Sequence, residues 1–308
     1  MTYEQLLEQC VAQDERYVVV TAENRAAIRN LPARIGDRFI DVGIAEQTMI
    51  GMCAGLALRG RIPVAHALAC FLTMRAFEFI RTDVGIARLP VKLVGGVPGF
   101  LSEANGPTHQ AIEDIAIMRG IPNMGVFCPA DEAELLQGLP AILAHPDPFY
   151  IRYNAMQPVV QHSSDFEIGV AERLNEGEDI TILTYGFLLR EAMVACRLLE
   201  AQDISVRVVN MRTLKPVDET AILRAVEDTS LVVTLEDHFQ TGGLYSIVAE
   251  TLLKNQMRGN VLPIALNEQW FTPGLLNDVL RVHGFTGEAI AETVLRRFET
   301  PAHVRAYI

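Results

Sequence analysis

Three short stretches place ionisable side chains where strands of an open parallel sheet would hand over to loops, the edge at which such sheets bind ligands. DVGIAEQ (Asp41–Gln47) reads as a strand end turning into a helix, with Glu46 in the first turn. A carboxylate there is stabilised by the positive end of the helix macrodipole, and it also stands where it could exchange a proton with a ligand. A glycine-rich loop from Gly95 to Pro107 runs into GPTHQ (Gly106–Gln110), whose Gly-Pro turn predicts a helix opening at Thr108-His109. An imidazole at a helix N-terminus has a depressed pKa and serves as a neutral hydrogen-bonding or proton-transfer group; capping or packing is its other use. In FYIRYN (Phe149–Asn154) strand alternation puts Tyr150, Arg152 and Asn154 on one face. A guanidinium near the end of a buried strand needs an anionic partner, either a ligand or an internal carboxylate. Taken singly, none of the three decides a function.

The elements that must position these residues follow from the apolar pattern. Tyr17–Thr21, Phe39–Val42, Ile62–Ala65, Val91–Val94, Gly125–Cys128 and Phe149–Tyr153 read as strands. Between them lie helical patterns at Gln47–Leu58, Phe71–Arg88, Gln110–Arg119 and Asp131–Ala144. The polar stretch Gln157–Asp179 interrupts this alternation, which then resumes from Ile180 with strands at Ser205–Asn210, Leu231–Leu235 and Val261–Ala265. The fold class expected is α/β, with two open, mostly parallel sheet domains: 1–160, a linker at 161–178, and 179–308.

Composition narrows the classes of function. The chain has 308 residues, half of them hydrophobic, which suits two domains with sizeable cores. A formal charge of −12 excludes a general nucleic-acid binder, which needs a basic face. The longest apolar run, Met49–Leu58, is too short to span a bilayer. The polar, acidic N-terminus is no signal peptide, and the five cysteines form no CxxC pair. A cytoplasmic protein with reduced thiols is expected, with no membrane partner.

Together the motifs resemble a family. DVGIAEQ, CFLTMRAFEFIRTDVGIARLPV (Cys70–Val91), GPTHQ, PADEAELLQGL (Pro129–Leu139) and FYIRYN are similar to the pyrimidine-binding domain of transketolases, in the version shared with 1-deoxyxylulose-5-phosphate synthase. VRVVNMRTLKPVD (Val206–Asp218) and TLEDHFQTGGLYSIVAE (Thr234–Glu250) resemble the C-terminal domain of the same family. The resemblance covers nearly the whole chain, and the pairing of GIAEQ with GPTHQ is specific.

The resemblance implies thiamine diphosphate as cofactor, with the protein supplying orientation and electrostatics. Glu46 matches the glutamate that hydrogen-bonds the aminopyrimidine ring nitrogen. Phe71 matches the aromatic residue packed on that ring, with Arg75 or Met74 one helical turn later, and Glu23 follows the first strand near the cofactor. His109 matches the histidine that hydrogen-bonds the donor's oxygens, and Arg152 the arginine that binds the sugar phosphate. Two positions depart from the pattern. Asn105 stands where the family has an aspartate that reads a substrate hydroxyl, and Val97 where it has a cationic phosphate ligand. Both departures imply an altered sugar specificity, with an unusual ketose as donor.

The family's diphosphate and metal half uses a GDG motif and a later asparagine. The Gly36-Asp37-Arg38 segment lacks both the third glycine and the downstream asparagine, and no oxygen-ligand set for Mg²⁺ is found. Gly242-Gly243 reads as a helix start. The resemblance therefore implies the C-terminal subunit of a split transketolase. A separate N-terminal subunit would bind most of the Mg²⁺ and diphosphate, in a heterotetramer of two plus two chains acting on sugar or sugar phosphate substrates. The alternatives are the beta subunit of a 2-oxoacid dehydrogenase decarboxylase, a deoxyxylulose-phosphate-synthase-like condensing enzyme, or a non-catalytic assembly subunit.

Overall fold

The computed structural model describes residues 1–300; the end of the expected second domain, 301–308, lies outside the described residues. Strands β1 (Tyr17–Thr21), β2 (Phe39–Asp41), β3 (Ile62–Leu68), β4 (Lys92–Gly96), β5 (Gly125–Phe127) and β6 (Phe149–Arg152) build the first sheet. The second contains β7 (Glu172–Arg173), β8 (Ile180–Thr184), β9 (Val206–Asn210), then, after the short β10 (Thr213–Lys215), β11 (Leu231–Phe239) and β12 (Val261–Leu266). The strand orders are β10-β5-β6-β4-β3-β1-β2 and β12-β11-β8-β9-β7. All pairings are parallel except those of the edge strands β10 and β7, which are antiparallel. This is the α/β architecture of two mostly parallel sheets that the alternating pattern predicts.

The apolar runs form strands because both sheet faces are covered. Every residue of β1 and β8 is buried, as parallel strands between helical layers require. Among the described residues no helix is long and apolar enough to cross a membrane, and all five cysteines are free.

The structure corrects two local expectations and adds one element. The run Phe71–Arg88 is not one continuous α-helix: a π turn at Phe71–Arg75, an α turn at Phe77–Phe79 and a second π stretch at Ile80–Ile86 replace it. Its aromatic and β-branched residues are weak helix formers, and the Ala76 N–H reaches back five residues to the Phe71 carbonyl. The helix expected from Gln110 begins at Asp114, because Gln110 and Ile112 are held elsewhere. An amphipathic helix at Tyr3–Gln13, capped by Thr2, covers one face of the first sheet, although its polar sequence gives little sign of it.

The two domains are stitched together across the polar connection. Strand β10 leaves the second domain to pair with β5 of the first sheet, while β7, within the connection, pairs with β9 of the second. Beside β9, Arg212 forms ion pairs with Glu134 (3.0 Å) and Glu172 (2.8 Å). His162 bridges Glu172 (2.6 Å) and Asp131 (2.9 Å). Burial opposes the charge on His162, but its hydrogen bonds to Asp131 and Glu172 outweigh that and push its pKa up to about 10. Its stabilisation is therefore complete below the ordinary value near 6.5 and is lost as pH rises through about 10. The difference in Tm between the parent and His162→Gln should be largest near neutral pH and shrink toward pH 10. A difference independent of pH would contradict a charged His162.

Candidate functional site

The first sheet sends its candidate residues out along one edge. Glu23 follows β1, Glu46 follows β2, Phe71 and Arg75 follow β3, Asn105 and His109 follow β4, and Arg152 ends β6. Strand order reverses at β1, whose chain continuation β2 lies on one side and β3 on the other. A parallel sheet opens its binding crevice at such a switch point.

Glu46 begins the helix Glu46–Leu58 and is buried, its side chain 3% exposed. Arg75 Nη1 donates to Glu46 Oε2 at 3.0 Å. The same guanidinium lies over the Phe71 ring, 4.1 Å from its centroid. Phe71 in turn meets His109 edge-on, with ring centroids 5.0 Å apart. The π turn places Phe71 and Arg75 side by side, so four residues from three loops form one continuous group. Phe71 and His109 are partly exposed and Arg75 is exposed, so the group opens to solvent on one side.

His109 occupies a turn closed by its own N–H to the Gly106 carbonyl (2.9 Å), and its Nδ1 lies 2.9 Å from Thr108 Oγ1. The expectation that it opens a helix is corrected: the helix starts at Asp114, so the ring gains nothing directly from a macrodipole. Asn105 is exposed and donates to the Ser102 carbonyl at 2.8 Å. Glu23 is exposed at φ +59°, and Val97 sits at φ +48°. Positive φ at a β-branched valine is strained, and such strain gathers at functional edges. Val97 lines a small cavity with Asn24, His66, Gly96 and Tyr153.

Arg152 is engaged by internal carboxylates in this structure. Its side chain is 4% exposed. Nε donates to Asp114 Oδ2 at 2.8 Å and Nη1 to Asp237 Oδ1 at 2.7 Å. Tyr150 donates its hydroxyl to the same Asp114 oxygen at 2.6 Å. Burial works against the guanidinium's charge, but the two carboxylates outweigh it. A phosphate would add negative charge to a closed site that already holds two anions against one cation. Arg152 takes the internal-carboxylate option left open by the strand pattern. The sequence signal for its partner is the pair Glu236-Asp237 in a strand that opens on an apolar run.

Residues 2–157 match the family model for the transketolase pyrimidine-binding domain, and 169–290 match that for the transketolase C-terminal domain. The chain belongs to the transketolase family. Among its transketolase relatives, a 6-deoxy-6-sulfo-D-fructose transketolase subunit of Clostridium sp. (strain MSTE9) is 42% identical over 82% of this chain and 80% of its own. An apulose-4-phosphate transketolase subunit of Phocaeicola vulgatus is 33% identical over 92% of both chains. A solved split gene transketolase, described as an inactive beta4 tetramer, superposes with a TM-score of 0.85 at 34% identity, covering 96% of each chain.

The transketolase family works with thiamine diphosphate, and the donor set here fits the pyrimidine end of that cofactor. Glu46 offers a buried carboxylate and Phe71 a partly exposed aromatic face, with the Arg75 guanidinium bonded to the one and packed on the other. An acceptor and a stacking surface are what an aminopyrimidine needs. Replacing Arg152 by methionine should cost about 3–5 kcal/mol, because it strands two buried carboxylates. Denaturant unfolding of the isolated chain measures this, and unchanged stability with a raised KM for phosphorylated sugars would restore the phosphate role.

Proposed function

We propose that this chain is the C-terminal subunit of a split transketolase, moving a two-carbon ketol unit from a ketose to an aldose. The observation that carries the proposal is the buried Glu46 carboxylate, joined through Arg75 and Phe71 to His109 at the open edge of the sheet. When bound, thiamine diphosphate supplies the electron sink for breaking and forming the carbon–carbon bond.

This chain's residues supply the rest. Glu46 holds or releases a proton at its carboxylate against a ring nitrogen, and the Arg75 guanidinium orients that carboxylate. Phe71 offers an aromatic surface for stacking, and Glu23, on the loop after β1, adds a carboxylate on the cofactor side of the sheet. His109 and Asn105 hydrogen-bond substrate oxygens. The donor is an unusual ketose: Val97 replaces a cationic phosphate ligand and Asn105 an aspartate, and the relatives' names specify a sulfosugar and apulose 4-phosphate.

A separate N-terminal subunit supplies the diphosphate and Mg²⁺ half, in an assembly of two plus two chains working in the cytoplasm. The helix that begins with Glu46 supports a covering partner. Its solvent face is Gln47, Thr48, Gly51, Met52, Gly55 and Leu58, without a single charge. Leu58, together with Ile44 just before the helix and Ile86 nearby, is more than 70% exposed. A helix apolar on every side belongs in an interior.

The test is reconstitution with a partner chain carrying the GDG motif and later asparagine, plus thiamine diphosphate and Mg²⁺, against a panel of sulfonated, phosphorylated and free ketoses. Ketol transfer should require both chains and favour a donor other than xylulose 5-phosphate. Equal turnover by the isolated chain would contradict the split assembly, and xylulose 5-phosphate as best donor would contradict the altered specificity. In the same mixture His109→Ala should lower kcat about 10²–10³-fold, as loss of a polarising donor does.

A further inference from the structure

The loop that carries His109 leaves the first sheet at β4, yet its largest buried side chains pack in the second domain. Phe100 packs edge-on against Phe271 (5.1 Å) and Phe285 (4.8 Å), and both Phe100 and Ile112 lie in the second domain's apolar core. The Phe239 N–H donates to the Ile112 carbonyl at 2.8 Å. At the other end of the loop Gly99 has φ +55°, and a Cβ there would fall 1.8 Å from Asp237 Oδ2. The Asp237 carboxylate thus presses on bare backbone and receives the Phe100 N–H. A hydrogen bond from the Gly99 N–H to the Ala111 carbonyl (2.9 Å) closes the loop on itself.

Between these anchors Gly106 to Glu113 forms no helix or strand. Ala111 packs there against Ala69 and Cys70 of the first domain, and one polar side chain reaches across to the second. Gln110, 2% exposed, donates from Nε2 to the Phe271 carbonyl at 2.8 Å. Its neighbour His109 turns instead to Phe71 and the Glu46 group. The two adjacent residues face opposite partners, so the hydrogen bond at Gln110 sets the backbone from which the imidazole projects. Glu46, Phe71 and Arg75, by contrast, are held by one another.

We propose that the second domain takes part in the reaction by positioning His109, with Gln110 as the positioning residue that couples them. This rests on the ketol-transfer role given to His109 above. Displacing a reacting group by about 1 Å can lower a rate about a hundredfold without touching the chemistry itself. Loss of the Gln110 contact should therefore act on turnover and leave cofactor binding alone.

The experiment uses the complex with its partner chain and the variants Gln110→Ala and Gln110→Glu. Gln110→Ala should lower kcat roughly ten- to a hundredfold, with donor KM and half-saturation by thiamine diphosphate changed less than about threefold. A glutamate faces the Phe271 carbonyl with like charge when ionised but donates to it when protonated. The activity of Gln110→Glu relative to the parent should therefore rise as pH falls. Hydrogen–deuterium exchange should speed up in peptides spanning 99–112 and stay unchanged in Glu46–Leu58. A Gln110→Ala kcat within twofold of the parent, or unchanged exchange in 99–112, would overturn the proposal. If the parent complex transfers no ketol unit, the functional reading fails, and the exchange pattern still decides whether Gln110 positions the loop.

Discussion

A guanidinium withdrawn from water must be matched by anions held just as firmly, and Arg152 imposes that requirement where the two domains meet. Its carboxylate partners come from the helix Asp114–Arg119 in the first domain and from β11 in the second. These two bonds help to fix the mutual geometry of the domains, because a shift of either carboxylate leaves a buried charge uncompensated. Gly99 belongs to the same constraint. Only a residue without a Cβ lets the β4 loop pass so close to Asp237 and Arg152. The start of the loop bearing Asn105 and His109 therefore takes its path beside a buried interdomain ion cluster.

The group around Glu46 is built on different terms. It lies at the switch point of a single sheet, its members support one another, and it is open to solvent on one side. The adjoining helix face is uncharged and largely apolar. A closed interdomain cluster beside an open, self-supporting acid–aromatic group is the arrangement expected of one half of an active site: rigid behind, and incomplete in front.

Much of this was legible in the sequence because parallel strands buried on both faces write continuous apolar runs, and β1, β4, β6, β8 and β9 match such runs within a residue or two. Glu46, Phe71, Arg75 and His109 stand out by motif, and the structure brings them together. What local pattern cannot encode is long-range pairing. The role of Arg152 depends on Asp237, 85 residues away, and strand alternation alone leaves phosphate and carboxylate partners equally open. The helix expected at Gln110 fails for the same reason: a backbone carbonyl of the second domain, at Phe271, captures its side chain. The short β10 carries too few residues for a period of two to register, and the π turns after Phe71 break the period that reveals a helix.

The role proposed for the Glu46 carboxylate, acid–base group of a thiamine-dependent ketol transferase, is tested by turnover of the reconstituted complex carrying Glu46→Gln, a near-isosteric change that removes the exchangeable charge. kcat should fall about 10²–10⁴-fold, the range for a general acid–base group, with subunit assembly and thermal unfolding unchanged. Turnover within about threefold of the parent would contradict it.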